Sequence, residues 1–97
     1  MNFTYEENRI FLTDENGKTI AEVNFPSISD TVVNISHTFV DDSLRGQGVA
    51  GKLLVAVAEK LRQENKKAYP TCSYAIKWFE KNEDYRDIYV DERCIDV

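Results

Sequence analysis

A chain of 97 residues, 42% apolar and 30% charged, holds enough apolar surface for one core and too little for a second, so 1–97 reads as a single domain with at most one site. Its net charge of -5 argues against a nucleic-acid backbone as the main partner, because that binding rests on a basic surface that releases counterions. Membrane insertion and secretion are not expected either: the longest apolar run, 53–58, is far below the ~20 residues of a spanning helix, and MNFTYEENRI has neither a basic leader nor an apolar core, which predicts a cytoplasmic protein.

The first elements read as short strands. Phe3 and Tyr5, then Ile10 and Leu12, alternate with other residues, and Asn16-Gly17 is the pair that a tight hairpin turn favours. TIAEVNF resumes strand character and stops at Pro26, which has no N–H to give a ladder. TVVNISHTFV, 31–40, is the most strand-like run. As one strand it sets Val33, Ile35, His37 and Phe39 on one face and Val32, Asn34, Ser36, Thr38 and Val40 on the other. Together these four strands read as an antiparallel meander.

The period then becomes helical. Val49, Leu53, Leu54, Val57, Ala58 and Leu61 form one apolar stripe, which predicts a helix over 49–64 with Asn65 near its C-terminal end and Lys66 and Lys67 complementing its dipole. AYPTCS reads as a fifth, short strand that includes Cys72, because Pro70 disfavours helix at Tyr69. YAIKWFEKN predicts a second helix with Ile76 and Phe79 inward, and the residues from Asp84 onward a partly ordered tail. A strand, a helix and a strand in succession form a crossover with the two strands parallel. The fold class is therefore α+β: a meander, a helix, a parallel fifth strand and a C-terminal helix.

Between the meander and the first helix stands DDSLRGQGVAGKLL, with three glycines in six residues. A glycine-rich turn at a helix start is suited to an anion, because the first helical N–H groups have no internal partner. GQGVAG matches a dinucleotide fingerprint in letters, but DDSL separates it from its strand and no acidic residue stands ~20 positions on. GQGVAGKL approaches a nucleoside-triphosphate loop, yet Leu53 stands where the Mg²⁺-binding hydroxyl belongs. The third pattern, Arg/Gln-x-x-Gly-x-Gly/Ala, is met by Arg45, Gly48 and Ala50 on a loop between an antiparallel strand and a long helix. A bare turn is the bland alternative.

This third pattern resembles the pyrophosphate loop of the GNAT superfamily of N-acetyltransferases, with Val40, Arg45, Gly46, Gly48, Val49, Ala50, Leu53 and Leu54 in register. The short chain with YPTCSYAIKWFEKN after it is similar to the compact YjdJ-type subfamily. The resemblance implies a small GNAT fold that binds acetyl-coenzyme A, with N–H groups of Gln47, Gly48, Val49, Ala50 and Gly51 as the cradle and Arg45, Gly46 and Lys52 beside them. It also implies that Thr38, Phe39 and Val40 lend backbone groups to the pantetheine arm. The acetyl acceptor, an amine or a thiol, does not transfer, because the helices that build the acceptor wall in longer members have no counterpart here. A non-catalytic acyl-coenzyme A binding or sensing module is the rival reading.

Three side chains divide. In the compact subfamily a cysteine lies near the acetyl group, and the matching position is Cys72: either a small buried apolar residue or a thiolate that attacks the thioester. His37 is either a pocket-wall histidine or the base for Cys72 or an acceptor amine. Tyr74 is either aromatic packing or the acid that protonates the departing sulfur. No metal is expected, since Cys72 and Cys94 lack ligand spacing and have one histidine for company. Acetyl-coenzyme A and its acceptor are the expected partners of a monomer, with no nucleic acid and no membrane.

Overall fold

The computed structural model describes residues 2–91. Strands β1 (Thr4–Glu6), β2 (Arg9–Thr13) and β3 (Thr19–Asn24) form the expected meander, and the Asp14 carboxylate fixes its second turn by accepting from the N–H groups of Asn16 and Lys18. The predicted fourth strand is two strands. β4 (Val32–Ile35) pairs in parallel with β6 (Lys67–Pro70), whereas β5 (His37–Val40) pairs antiparallel with β3. The sheets are therefore β1-β2-β3-β5 and β4-β6, and the chain crosses between them at Ser36.

Ser36 is the extra residue of a β-bulge: its N–H reaches the carbonyl of Asn24, which is already opposite His37. One inserted residue inverts the alternation, and this corrects the single face drawn through 33–39. Val33 and Ile35 are buried, but His37 and Phe39 are exposed, and Thr38 and Val40 take the inner face opposite Val23 and Ala21.

Helix α1 (Val49–Gln63) packs across β2, β3 and β5, and every residue of its predicted stripe is buried. Asn65 ends it in the left-handed conformation at φ 59°, where the N–H of Lys66 returns to the carbonyl of Leu61 at 2.8 Å. Lys67 belongs to β6 rather than to the helix end; its N–H bonds the Thr31 carbonyl at 2.7 Å.

Helix α2 (Ser73–Lys81) buries Ala75, Trp78 and Phe79, spaced as one helical stripe, and leaves Ile76 outside it at the surface. That corrects the inward placement of Ile76. The segment expected as a partly ordered tail forms a 3-10 helix at Glu83–Ile88, buries Ile88, and then bonds β6 through the N–H of Val90 to the Ala68 carbonyl at 2.9 Å. Cys94 lies outside the described residues. No helix among those described is long and apolar enough to cross a membrane.

Candidate functional site at the open edge of strand β5

Strand β5 ends its sheet, so among the described residues one of its edges has no strand partner. Which main-chain groups face that edge follows from the ladder. The Asp41 N–H bonds the Ile20 carbonyl at 2.8 Å, and paired residues exchange bonds at every second position, so Phe39 and His37 take the ladder bonds with Glu22 and Asn24. Thr38 and Val40 present their N–H and C=O groups to the open edge. Phe39, also expected to lend backbone groups, has its own directed to β3.

Asp41 then turns the chain by accepting the Ser43 N–H at 3.0 Å, and a short 3-10 helix at Asp42–Leu44 leads into the glycines. Gly46 and Gly48 have φ of 82° and 68°. Gly48 is the N-cap residue of α1, and no side chain caps the helix there. The N–H groups of Gly48, Val49, Ala50 and Gly51 thus open the helix as donors without an internal partner. Gln47 is not one of them, because its N–H closes a turn on the Leu44 carbonyl at 3.2 Å, and the Lys52 N–H bonds the Gly48 carbonyl at 3.1 Å. The side chain of Val49 is buried and pins the first turn into the core, while those of Arg45, Gln47 and Lys52 are exposed. Arg45 pairs with Asp42 at 3.1 Å, with side chains 81% and 91% exposed.

A second helix start converges on the same edge. Cys72 is not on the fifth strand as expected; it is the N-cap residue of α2, because β6 stops at Pro70. The carbonyl of Ile35 fixes this corner by accepting the N–H groups of both Thr71 and Cys72 at 3.1 Å, and the Thr71 hydroxyl donates to Asn34 Oδ1 at 2.7 Å. The half-buried thiol of Cys72 donates to the Thr38 hydroxyl at 3.7 Å. Burial pushes this thiol up, but the backbone N–H of Ala75, the Thr38 hydroxyl and the N–H groups of Tyr74 and Thr38 outweigh it and hold the thiol below its usual range. The N–H groups of α2 approach the sulfur without closing a capping hydrogen bond.

Tyr74, one residue into α2, reaches across to α1: a Cβ at Gly51 would stand 3.8 Å from its hydroxyl and 4.0 Å from Trp78 Nε1. A Cβ there would make ordinary van der Waals contact, so Gly51 marks where the two helix starts meet. Burial raises the Tyr74 phenol, so it keeps its proton at neutral pH.

The structure thus gathers Thr38, Val40, the first turn of α1, Cys72 and Tyr74. His37 is not gathered with them. It lies on the exposed outer face of β5, the face opposite Thr38, and so is not placed to serve Cys72. The side-chain role of Thr38 escaped sequence reading, since only the bulge at Ser36 turns its hydroxyl toward Cys72. No group of three or more acidic, His or Cys side chains among the described residues is disposed to hold a metal ion.

Comparison with known proteins places this fold. A family profile described as GCN5-related N-acetyl-transferase matches residues 9–88. The solution structure of a GCN5-like protein from Staphylococcus aureus is 37% identical, with a TM-score of 0.78 over 93% of this chain and 88% of that one. YhbS from Escherichia coli, solved in complex with CoA, shares the fold at 24% identity and a TM-score of 0.56, over 64% of this chain and 38% of that one. Protein NATD1 of mouse and of human is 34% identical over 55 residues, 57% of this chain. The chain spans about half the length of these curated relatives, 50% and 49%.

Proposed function

The chain belongs to the GCN5-related N-acetyltransferase family, and from that premise we propose that it binds acetyl-coenzyme A at the β5 edge and passes the acetyl group to an amine or thiol through Cys72. The observation that carries the reading is the convergence of an open strand edge with two helix N-termini, one uncapped and one bearing a thiol. The partnerless N–H groups at 48–51 suit a pyrophosphate, and a glycine N-cap keeps side-chain bulk away from it. Arg45 adds charge. Its pair with Asp42 is exposed on both sides, so exchanging that carboxylate for a phosphate costs little.

Main-chain groups of Thr38 and Val40 suit an extended amide-bearing arm, as an added strand would. The Cys72 thiolate, its proton released to solvent, forms a bond to the thioester carbonyl carbon, and the bond from that carbon to the coenzyme sulfur breaks as a proton is delivered to the departing sulfur. Tyr74, protonated at neutrality, is the donor assigned to that delivery; an acceptor amine or thiol then displaces Cys72 as a thiolate, and the proton the acceptor loses restores Tyr74. His37 has no part in this scheme.

Intact-mass analysis after incubation with acetyl-coenzyme A tests it. A hydroxylamine-labile acetyl group mapped to Cys72 supports the scheme. Binding with an unmodified Cys72 and with amine acetylation points to direct attack, and binding without any transfer points to an acyl-coenzyme A sensing module.

A further inference from the structure

Resting on the reading of Cys72 as the residue that takes the acetyl group, we propose that Thr38 is a positioning residue for that thiol: its hydroxyl holds the sulfur at the β5 edge and hydrogen-bonds the thiolate once the proton has left.

Geometry singles out this partner. Cys72 has its main chain fixed by the Ile35 carbonyl, so its side chain has a defined origin, and the hydroxyl it meets is that of Thr38 at 3.7 Å. Thr38 is itself fixed, because its neighbours Phe39 and His37 are bound into the β3 ladder and its side chain lies on the inner face opposite buried Val23. Thr38 comes from the four-stranded sheet and Cys72 from the start of α2, thirty-four positions apart in sequence.

A hydroxyl is the right group for both protonation states. While Cys72 is a thiol, the Thr38 oxygen accepts the S–H; when the proton has gone, the hydroxyl rotates and donates to the sulfur. No backbone N–H can do the first and no carboxylate can do the second.

The surroundings leave the hydroxyl this work. From β5 come the Thr38 hydroxyl and N–H, and from α2 the N–H groups of Tyr74 and Ala75; none of these carries a charge. Asn34 and Thr71, which brace the corner from β4 and from the end of β6, are neutral and bond each other at 2.7 Å. Tyr74 of α2, its phenol raised by burial, is protonated at neutral pH. His37 of β5 is on the other face. Among the described residues, the groups that hold this thiol down are hydrogen-bond donors, and Thr38 supplies the one that comes from a side chain.

The experiment is the pH dependence of iodoacetamide alkylation at Cys72, read by peptide mass so that Cys94 is counted separately. It uses the whole chain as wild type, Thr38→Val, Thr38→Ser and His37→Ala, each checked for fold by circular dichroism. Thr38→Val should slow alkylation at pH 7 by about 3- to 10-fold and move the midpoint to higher pH, as expected when a thiolate loses a hydrogen-bond donor. Thr38→Ser should restore the wild-type profile within about twofold, since it keeps the hydroxyl. His37→Ala should titrate like the wild type.

An unmoved midpoint in folded Thr38→Val overturns the proposal. So does a Thr38→Ser profile shifted as far as that of Thr38→Val, which would assign the effect to packing of the lost methyl. Acetylation by acetyl-coenzyme A is measured in parallel and judges the underlying reading separately. A Thr38-dependent midpoint with no acetyl on Cys72 overturns the transfer scheme while leaving the hydroxyl–thiolate coupling in place.

Discussion

At the scale of single residues, Gly48 and Arg45 make opposite predictions about the same loop. Gly48 has open space around a would-be Cβ, so Gly48→Val is opposed only by the positive φ of 68°, a cost of about 1–2 kcal/mol. The variant should fold with a lowered melting temperature and lose acetyl-coenzyme A binding by calorimetry, because its side chain stands over the helix's free N–H groups. Arg45→Ala should leave the melting temperature unchanged, since its partner is exposed, and weaken binding by about 1.5–3 kcal/mol through loss of a charge-assisted contact. Equal affinity in both variants and the wild type would place the ligand elsewhere. The glycine turn was legible in sequence because positive φ and an uncapped helix start are carried by residue type and spacing. Thr38 was not: nothing in NISHTFV distinguishes its hydroxyl from that of Ser36, and the bulge that separates their directions is a property of the pairing with Asn24.

Among the elements, α1 could be read to within a residue at either end because one apolar stripe runs its whole length. The short elements after it are set by partners distant in sequence. Arg62 on α1 grips the 3-10 helix beyond α2 by bonding Asp87 through two nitrogens, at 3.0 and 2.6 Å, and the Asp84 carbonyl at 3.0 Å, while lying 4.8 Å from the Tyr85 ring. A sequence window does not contain both ends of such a clamp. Its pH dependence has a definite sign. The Arg62 guanidinium holds the Asp87 carboxyl below the usual carboxylate range, so the pair stabilises the fold above the ordinary Asp pKa and loses that contribution as pH falls through the lower, folded value. Asp87→Asn should therefore melt below the wild type at neutral pH, and the two melting curves should converge in acid. A gap that persists at the acid end would show that the clamp acts through shape rather than charge.

For the molecule as a whole, the element order, the parallel crossover and the buried stripe followed from the sequence, while the division into two sheets did not. A continuous run of strand-forming residues gives no sign that its halves pair with different neighbours, because alternation is blind to a single inserted residue. Yet the division at Ser36 creates the edge on which the site stands. That edge also sets a clock. Along β5 the amide protons of His37 and Phe39 are locked into the ladder, whereas those of Thr38 and Val40 face the gap, where the Thr38 N–H meets only the weakly accepting sulfur of Cys72. Deuterium uptake followed residue by residue should therefore alternate, fast at 38 and 40 and slow at 37 and 39, within one short strand. Acetyl-coenzyme A should slow the two fast sites and leave the slow ones untouched. Uniform uptake along 37–40 would mean that the edge is closed, whereas the alternating rhythm, silenced by the ligand, would time the site's occupancy from the backbone alone.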